Sequence, residues 1–340
     1  MKQRILYCAQ AMGLFALCAW ITRKRLRILC YHGIWDGPGQ YGNYLFMSPG
    51  KFRSRLQLLR RWGARVFPLD EALERLRHGQ LPARSVVITI DDGWKSTANH
   101  MGPALQEAGY PATLYVTTYY VLAQRRVFNV ALSYALSCYE GEGLTLQLAP
   151  GINVYLDPAK RAAVGDSILK YALELANDEA RQTLLRKVVE QLGLQDDPAW
   201  MGSSFFLASW GDLQQLQCEG VDLQLHTHRH QTRTRQGESC LQQEIEDNRQ
   251  RLQAIANSTL EHFCYPSGEY EPGDWAELGA AGIKSATTTD IGLCRAGSNF
   301  YALPRILDGQ AVSELELEAE LSGFLECLRG ARRLLSGKRV

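Results

Sequence analysis

Two adjacent carboxylates, Asp91 and Asp92, stand at the end of an apolar run, and a glycine follows them. The run 86–90 is aliphatic except for one threonine, which is typical of a buried parallel strand. Such a strand gains no stability from two terminal acids, because a desolvated carboxylate is costly unless it is paired or bound to a metal. A surface turn explains an Asp-Asp-Gly sequence equally well. The two acids alone therefore leave a reactive site and a plain turn both open.

Three of the seven histidines fall within five residues, at His226, His228 and His230. His226 and His230 would share one face of a helix, whereas all three would share one face of an extended strand. Either arrangement suits a divalent cation, for which imidazole is a common ligand. The alternative is an exposed polar loop. Two histidines plus one carboxylate form a catalytic metal set, so the strand-end acids favour metal binding.

The chemistry of such a set divides the work between the two acids. One must ligate the metal, and the other can remain free as a general base. A metal polarises a carbonyl oxygen and lowers the pKa of water. Amide hydrolysis also needs a proton donor, and His32, near the end of another predicted strand, is the first candidate, with His262 next. A core histidine hydrogen-bonded to backbone is an equally good interpretation of His32.

From residue 27 onward, strand patterns alternate with helical patterns, which predicts parallel βα units in a sheet or barrel. The predicted strands cover 27–34, 65–69, 86–90, 111–118, 221–225, 261–268, 283–287 and 301–306. We predict a core domain over 27–310, interrupted at about 120–204 by a mostly helical insertion. That insertion either shapes the site or is an inert decoration. A polar helix is predicted over 240–256, and a C-terminal helix over 312–335 within the segment 311–340.

The overall composition is that of an ordinary globular protein. The chain of 340 residues is 46% hydrophobic and 21% charged, and its net charge of +1 provides no electrostatic case for nucleic-acid binding. The nine cysteines are odd in number and form no Cys-x-x-Cys pair. This pattern predicts reduced thiols rather than a disulfide framework or a zinc ribbon.

The longest apolar stretch covers residues 5–21 and has basic residues on both sides. We predict a membrane anchor or interfacial helix over 1–26, with an ordinary buried helix as the alternative. A cleaved signal peptide is disfavoured because no small-x-small cleavage site follows the stretch. The positive excess on the C-terminal side favours keeping the main domain in the cytoplasm. We therefore expect attachment to the bacterial inner membrane by the N-terminus, with the side of the catalytic domain open.

Five segments of the sequence resemble the motifs of one enzyme family. They are Tyr31-His32-Gly33-Ile34, Thr89-Ile90-Asp91-Asp92-Gly93, His226-Thr227-His228-Arg229-His230, Phe263-Cys264-Tyr265-Pro266-Ser267-Gly268 and Leu303-Pro304-Arg305-Ile306. The family is the polysaccharide deacetylases of the NodB-homology type (carbohydrate esterase family 4), and the Tyr-His on the first strand resembles the subgroup that acts on poly-N-acetylglucosamine. The resemblance covers about 27–306.

The resemblance implies an α/β fold, a distorted (β/α) barrel of six to eight strands, and metal-dependent N-deacetylation of a polysaccharide or sugar. It assigns a divalent metal, usually Zn²⁺ with Co²⁺, Ni²⁺ or Fe²⁺ also compatible, to Asp92, His226 and His230. Asp91 would be the general base, and the backbone N–H of Tyr265 would help to hold the oxyanion.

Two departures from the family pattern affect the remaining roles. The last motif, Leu303-Pro304-Arg305, lacks the histidine that serves many members as the acid, which makes His32 the choice. The third motif lacks the arginine that orients the base, and the sequence leaves open whether Arg305 replaces it. Trp94, Pro266 and Arg305 are the expected substrate contacts.

Two alternative functions accompany the main prediction. One is a deformylase or deacetylase of a lipid-linked sugar at the cytoplasmic face of the membrane, and the other is a glycan-binding assembly protein that has lost its chemistry. The intact acid and histidine sets favour an enzyme, and no Gly-x-Ser-x-Gly elbow suggests a serine hydrolase. The expected partners are an N-acetylated glycan or glycolipid and, through the N-terminal helix, the membrane; nucleic acid is not expected.

Overall fold

The computed structural model describes residues 2–38, 41–231 and 241–335. Its strands are β1 (Arg27–Tyr31), β2 (Gly33–Ile34), β3 (Phe46–Met47), β4 (Arg65–Val66), β5 (Ser85–Ile90), β6 (Ala112–Val116), β7 (Leu144–Ala149), β8 (Ile152–Leu156), β9 (Val221–Leu225), β10 (His262–Cys264), β11 (Ser285–Ile291) and β12 (Leu303–Leu307). Eight of them form one parallel sheet in the order β1-β12-β11-β10-β9-β6-β5-β4. Because β1 also pairs with β5, seven strands close into a barrel, and β4 lies beside the start of β5.

Helices surround this barrel. They are α1 (Lys2–Ala11), α2 (Leu14–Ile21), α3 (Pro49–Trp62), α4 (Leu69–Arg77), α5 (Gly102–Ala108), α6 (Thr118–Ala123), α7 (Phe128–Cys138), α8 (Arg161–Leu173), α9 (Asp178–Gln191), α10 (Pro198–Met201), α11 (Trp210–Cys218), α12 (Leu241–Leu252), α13 (Asp274–Ala280), α14 (Glu314–Leu321) and α15 (Phe324–Leu335). A π-helical turn, Thr97–Met101, precedes α5. The predicted (β/α) barrel is confirmed.

The barrel brings the ends of distant sequence segments to one mouth. All residues of β1 and β5 are buried, as expected for aliphatic strands covered by helices on the outside. His32 follows β1, Asp91 follows β5, His226 follows β9 and Tyr265 follows β10. Since parallel strands end at the same edge of a sheet, these four residues meet at the carboxyl end of the barrel, where such folds carry their active sites.

The inserted segment, predicted at about 120–204, contains α7 to α10 and an antiparallel hairpin of β7 and β8. It is joined to the barrel by a cluster of aromatic rings. Trp35, which follows β2, lies 5.0 Å from Tyr41, 5.1 Å from Tyr134 on α7 and 6.0 Å from Phe205, measured between ring centroids. The insertion is therefore packed against the loops on the carboxyl side of the barrel rather than attached by a free linker.

The N-terminal apolar stretch forms two short helices instead of one. No single helix among the described residues is long and apolar enough to cross a membrane; α1 and α2 reach that length only together, with a bend of 79° between them. Their inner sides pack on the C-terminal helices in one apolar cluster, made of Leu6, Ala9, Phe15, Cys18, Leu315, Ala319 and Phe324.

The prediction of one C-terminal helix over 312–335 is wrong, because α14 and α15 are separated by a turn at Ser322 and Gly323. Gly323 has φ of +76°, and a Cβ there would lie 2.5 Å from the Thr22 hydroxyl oxygen. Only glycine allows both the left-handed backbone and this close approach. Residue 240, where the predicted polar helix begins, and residues 336–340 lie outside the described residues. Among the described residues, the polar helix begins at Leu241.

A buried ion pair joins α3 to the end of the last barrel strand. Arg55 on α3 donates two hydrogen bonds to the carboxylate of Asp308, at 2.8 and 3.0 Å, and a third to the carbonyl oxygen of Val312. Both side chains of the pair are almost completely buried. A nearby pair, Arg61 with Glu314, is exposed and provides a comparison.

We expect Arg55→Ala to lower the free energy of unfolding by about 3–5 kcal/mol, because it leaves a buried carboxylate without its partner. The matched control, Arg61→Ala, should change it by less than about 1 kcal/mol, since exposed pairs are worth little. Urea denaturation of both variants measures the difference. Equal effects of the two substitutions would contradict the assignment.

Candidate metal centre and active site

Three predicted ligands converge at the mouth of the barrel. Oδ1 of Asp92 lies 3.3 Å from Nε2 of His226 and 3.3 Å from Nε2 of His230. Nδ1 of His226 is 2.7 Å from the carbonyl oxygen of Cys264. Since a carbonyl can only accept, Nδ1 must carry a proton, which leaves Nε2 as the ring nitrogen available to a cation beside Asp92. The two imidazoles and the carboxylate fit a divalent cation such as Zn²⁺.

The histidine-bearing loop is held from behind by two buried residues of α12. Oδ1 of Asn248 accepts a hydrogen bond from the backbone N–H of His226 at 3.0 Å. The carboxylate of Glu244 accepts from the backbone N–H and the guanidinium of Arg229, each at 2.8 Å. Both lie four residues apart on the inner face of α12 and are fully buried. Neither residue was predicted from the sequence, although two polar residues on an otherwise apolar helix face were a usable signal.

His228 is not part of the ligand set. Its Nδ1 is 2.9 Å from the hydroxyl of Thr118, and the side chain is buried between α6 and α12. The loop after β9 is therefore neither a regular helix nor a strand that would carry all three histidines on one face. His226 and His230 meet because the chain turns sharply between them.

Backbone strain is concentrated in these loops. Asp92, Thr227 and His230 have φ values of +72°, +62° and +54°, a region that side chains other than glycine rarely adopt. Each such residue costs about 1–3 kcal/mol and persists only where surrounding contacts hold it. The fold therefore keeps two of the three candidate ligands in conformations that they would not adopt alone.

Asp91 is held by a buried arginine from the last strand. The guanidinium of Arg305 donates to both carboxylate oxygens of Asp91, each at 2.8 Å. It also donates to the carbonyl oxygen of Thr288 at 2.8 Å and to the hydroxyl of Thr89 at 3.2 Å. Burial raises the pKa of Asp91, but Arg305 outweighs burial and lowers that pKa to about 2. Asp91 is thus an oriented, ionised carboxylate.

The second carboxylate is stabilised in a different way. Burial raises the pKa of Asp92, but the hydrogen bonds with His226 and His230 lower that pKa well below its ordinary value. Oδ2 of Asp92 accepts a hydrogen bond of 2.8 Å from the indole N–H of Trp94. This leaves Oδ1 for the side where the imidazoles converge.

Two thiols that the sequence analysis did not single out lie against the base. Sγ of Cys30 is 3.5 Å and Sγ of Cys264 is 3.6 Å from Oδ2 of Asp91. Burial raises the pKa of Cys30 well above its ordinary value, so this cysteine is a neutral thiol that donates to the carboxylate. Their positions near the ends of β1 and β10 were the only signal in the sequence.

The three residues that were expected to contact the substrate are all buried. Arg305 has no exposed surface, Trp94 is 2% exposed, and Pro266 is buried as well. Arg305 and Trp94 lie behind the two acids and donate to them, which is a supporting position rather than a surface offered to a glycan. An exposed ring that the sequence analysis did not name, Tyr44, lies 6.4 Å from His32 between ring centroids.

The two histidines considered as proton donors, His32 and His262, lie at opposite ends of the barrel. Nε2 of His32 lies 3.8 Å from Oδ2 of Asp91, and its side chain is about one-fifth exposed at the mouth. Burial lowers the pKa of His32, and the two neighbouring carboxylates oppose that effect. His262 begins β10 and contacts Ser285 and Asp70 at the opposite end of the barrel, which removes it from the site.

Tyr265 does not present the donor that was expected of it. Its backbone N–H donates to the carbonyl oxygen of Thr287 at 3.2 Å, within the sheet. Its hydroxyl donates to the carbonyl oxygen of Tyr301 at 3.0 Å, and the side chain is buried. An oxyanion role for this N–H is therefore not supported by the arrangement of the strands.

The chain matches the sequence profile of one known protein family. A family profile described as polysaccharide deacetylase matches residues 78–144 and 178–286, which is more than half of the chain. No curated protein sequence matches the chain.

Several solved structures share the fold. A Streptococcus pyogenes deacetylase, PplD, in complex with acetate is 18% identical, has a TM-score of 0.57, and the match covers 87% of this chain and 98% of that chain. IcaB from Ammonifex degensii is 16% identical, with a TM-score of 0.52 and coverage of 88% and 97%. A de-N-acetylase from Aggregatibacter actinomycetemcomitans is 15% identical, with a TM-score of 0.53 and coverage of 87% and 99%. At these identities the likeness concerns the fold.

We expect Trp94→Phe to weaken Zn²⁺ binding by about 10–100-fold, which is the usual effect of losing a hydrogen bond to a metal ligand. The substitution keeps most of the buried ring but removes the donor to Asp92. Isothermal titration with Zn²⁺ measures the affinity, and Trp20→Phe, at an exposed indole, is the matched control. Equal affinities in both variants and the wild type would show that Asp92 needs no support from Trp94.

We expect Arg305→Gln to lower the free energy of unfolding by about 3–5 kcal/mol at about pH 7, because Asp91 then becomes an unpaired buried carboxylate. In the wild type the folded pKa of about 2 lies below the unfolded value of about 3.9, so Asp91 stabilises the fold above about pH 4 and loses this contribution as the pH falls toward 2. In the variant the pKa of Asp91 rises, and protonation relieves the penalty.

Urea denaturation of wild type and variant between about pH 7 and pH 4 therefore checks the sign, since the difference in stability should shrink as the pH falls. Arg305→Lys keeps a positive charge without the paired donors, so its free energy of unfolding should lie between those of the wild type and Arg305→Gln. A difference that does not depend on pH would mean that Arg305 acts through packing alone.

Proposed function

The chain belongs to the polysaccharide deacetylase family, and from this premise we propose that it is a metal-dependent hydrolase that removes the N-acetyl group from an N-acetylated polysaccharide. Family membership makes it a hydrolase of carbon–nitrogen bonds other than peptide bonds. The observation that carries the metal-dependent assignment is the meeting of Asp92, His226 and His230 beside an oriented second carboxylate. Nε2 of each histidine lies 3.3 Å from Oδ1 of Asp92.

The proposed roles follow from what each side chain can do. Asp92, His226 and His230 would hold the cation, which when bound polarises the amide carbonyl and lowers the pKa of water. Asp91 accepts a proton from the water that attacks the carbonyl carbon. His32, 3.8 Å from Asp91, acts in its protonated form, which the carboxylates of Asp91 and Asp92 favour against burial. It donates that proton to the amine as the carbon–nitrogen bond breaks, which yields acetate and a free amino sugar. Arg305 and Trp94 are positioning residues for the two acids.

Finer assignments are part of the same proposal. We place the chain in the poly-N-acetylglucosamine deacetylase-like subgroup, and the location of His32 at the end of β1 beside Asp91 supports this. The names of similar structures, among them a de-N-acetylase and a deacetylase with acetate, agree with acetyl as the acyl group. Zn²⁺ is the proposed metal, and Co²⁺, Ni²⁺ and Fe²⁺ suit the same ligands.

The alternatives differ in how they fit the site. A glycan-binding protein without catalytic activity does not need metal-ligand residues in strained backbone conformations that neighbouring buried side chains hold in place. The geometry therefore favours an enzyme. A deformylase or deacetylase of a lipid-linked sugar would use the same residues, and the distinction depends on where the barrel sits relative to lipid. The domain boundaries 1–26, 27–310 and 311–340, and the location at the bacterial inner membrane, remain predictions.

We expect Asp91→Asn to retain the metal and to lower the rate of acetate release by about 10²–10⁴-fold, the range for a lost general base. His230→Ala should lose metal and activity together, because one of three ligands is gone. Released acetate from N-acetylglucosamine oligosaccharides and metal content of the purified protein are the two measurements.

Asp166→Asn, at an exposed position on α8, is the matched control and should behave as the wild type. Wild-type rates in Asp91→Asn would remove this residue from the mechanism. Full metal content in His230→Ala would refute the ligand assignment, and a metal-free, inactive wild type after incubation with Zn²⁺ would favour the binding protein.

A further inference from the structure

The two N-terminal helices present an unusual surface to solvent. Six large apolar side chains within seventeen residues are each more than half exposed, and we call this set the docking face: Ile5, Tyr7, Met12, Leu17, Trp20 and Ile21. Isolated apolar side chains are normal on protein surfaces, but six of them within seventeen residues, on two helices and the turn between them, mark an interaction site.

The helices that carry this face are fixed to the barrel, so the exposure is not that of a loose tail. Lys2 forms an ion pair with Glu316 at 2.7 Å, and Gln10 donates to Glu318 at 2.8 Å, both on α14. The buried guanidinium of Arg27 donates to the Thr22 hydroxyl and to the carbonyl oxygen of Leu321. The inner sides of α1 and α2 therefore pack against α14 and α15, whereas no part of the chain that the structure describes covers the docking face.

The charges around the docking face select an anionic partner. Residues 2–35 contain six basic and no acidic residues, of which Lys2 and Arg25 are paired with Glu316 and Glu326 and Arg27 is buried. Arg4, Arg23 and Lys24 are exposed, and the guanidinium of Arg23 lies 4.5 Å from the ring centroid of Trp20. Exposed apolar side chains with tryptophan and a cationic border are the pattern of helices that lie in the interface of an anionic bilayer. The bend of 79° does not suit a straight span.

The topology also determines where the active site points. α2 ends at Ile21 and the chain enters β1 at Arg27, so α2 lies at the amino end of the barrel strands. His32, Asp91 and His226 follow the carboxyl ends of β1, β5 and β9. A five-residue strand such as β1 spans about 16 Å, so α2, with Leu17, Trp20 and Ile21 of the docking face, lies at the end of the barrel opposite the site mouth. The preceding helix, α1, runs along α14, where Gln3 donates to Ser313 at 2.9 Å.

We propose that the docking face binds the surface of an anionic bilayer without crossing it, and that the active site then opens away from the lipid. The substrate class that this orientation allows is a glycan chain extended from the membrane, rather than a sugar joined directly to a lipid head group. This second part rests on the proposed deacetylase function, whereas the first does not.

Flotation of the full chain with vesicles tests the first part. We expect binding to phosphatidylcholine vesicles that contain phosphatidylglycerol, weaker binding as salt rises, and little binding to phosphatidylcholine alone. Leu17→Glu with Trp20→Glu should reduce binding by about tenfold or more, because two apolar side chains no longer enter the interface. Leu173→Glu, at an exposed leucine of the insertion, is the matched control and should leave binding unchanged.

Several results would overturn the docking proposal. These are absence of binding to both vesicles, equal binding by the docking-face variant, or a lipid-free dimer that this variant dissociates. Resistance of the vesicle-bound protein to alkaline carbonate extraction would show that it spans the bilayer instead.

Two substrates on the same vesicles test the orientation. The bound enzyme should release acetate from a soluble N-acetylglucosamine oligosaccharide, and it should not act on N-acetylglucosamine joined directly to a vesicle lipid. Equal rates on both would refute the orientation. Inactivity on both substrates would count against the deacetylase function and would leave the vesicle-binding result standing, because vesicle binding is measured without a substrate. As a control, Leu17→Glu with Trp20→Glu should not alter hydrolysis of the soluble oligosaccharide.

Discussion

The buried ion pair between Arg305 and Asp91 is the interaction on which the rest of the site depends. Burying either charge alone costs several kcal/mol, so the last strand and the fifth strand must end at the same place for the fold to be stable. Closure of the barrel through β1, which pairs with both β5 and β12, provides that placement. Asp91, the proposed general base, is therefore oriented by the same contact that joins two distant parts of the chain.

The side chains that would hold the metal are also supported by buried contacts. Each proposed ligand has a second residue behind it: Trp94 behind Asp92, the carbonyl of Cys264 behind His226, and Glu244 and Asn248 behind the loop that ends at His230. Supports of this kind hold backbone conformations with positive φ that would otherwise relax. A preorganised ligand set follows, which is what a hydrolytic metal site requires.

The elements outside the barrel divide between its two ends. The insertion packs through aromatic rings on loops near the carboxyl end, where it can influence access to the site. The helix α2 lies at the amino end and presents apolar and basic side chains to solvent. In the proposed arrangement, the protein contacts lipid at one end and the glycan at the other, so neither contact obstructs the other.

The sequence by itself determined the parallel βα units, the pair of acids and the histidine motif, because strand composition, helix alternation and residue spacing are local properties. The choice of a closed barrel over an open sheet came from the resemblance of the motifs to a family. Tertiary structure alone decided the role of Arg305, which lies 214 positions from Asp91. It also decided the supporting place of Trp94, the thiols beside the base, and the engagement of the Tyr265 N–H within the sheet. These depend on which strands become neighbours and how far each side chain is buried, and no local pattern records either quantity.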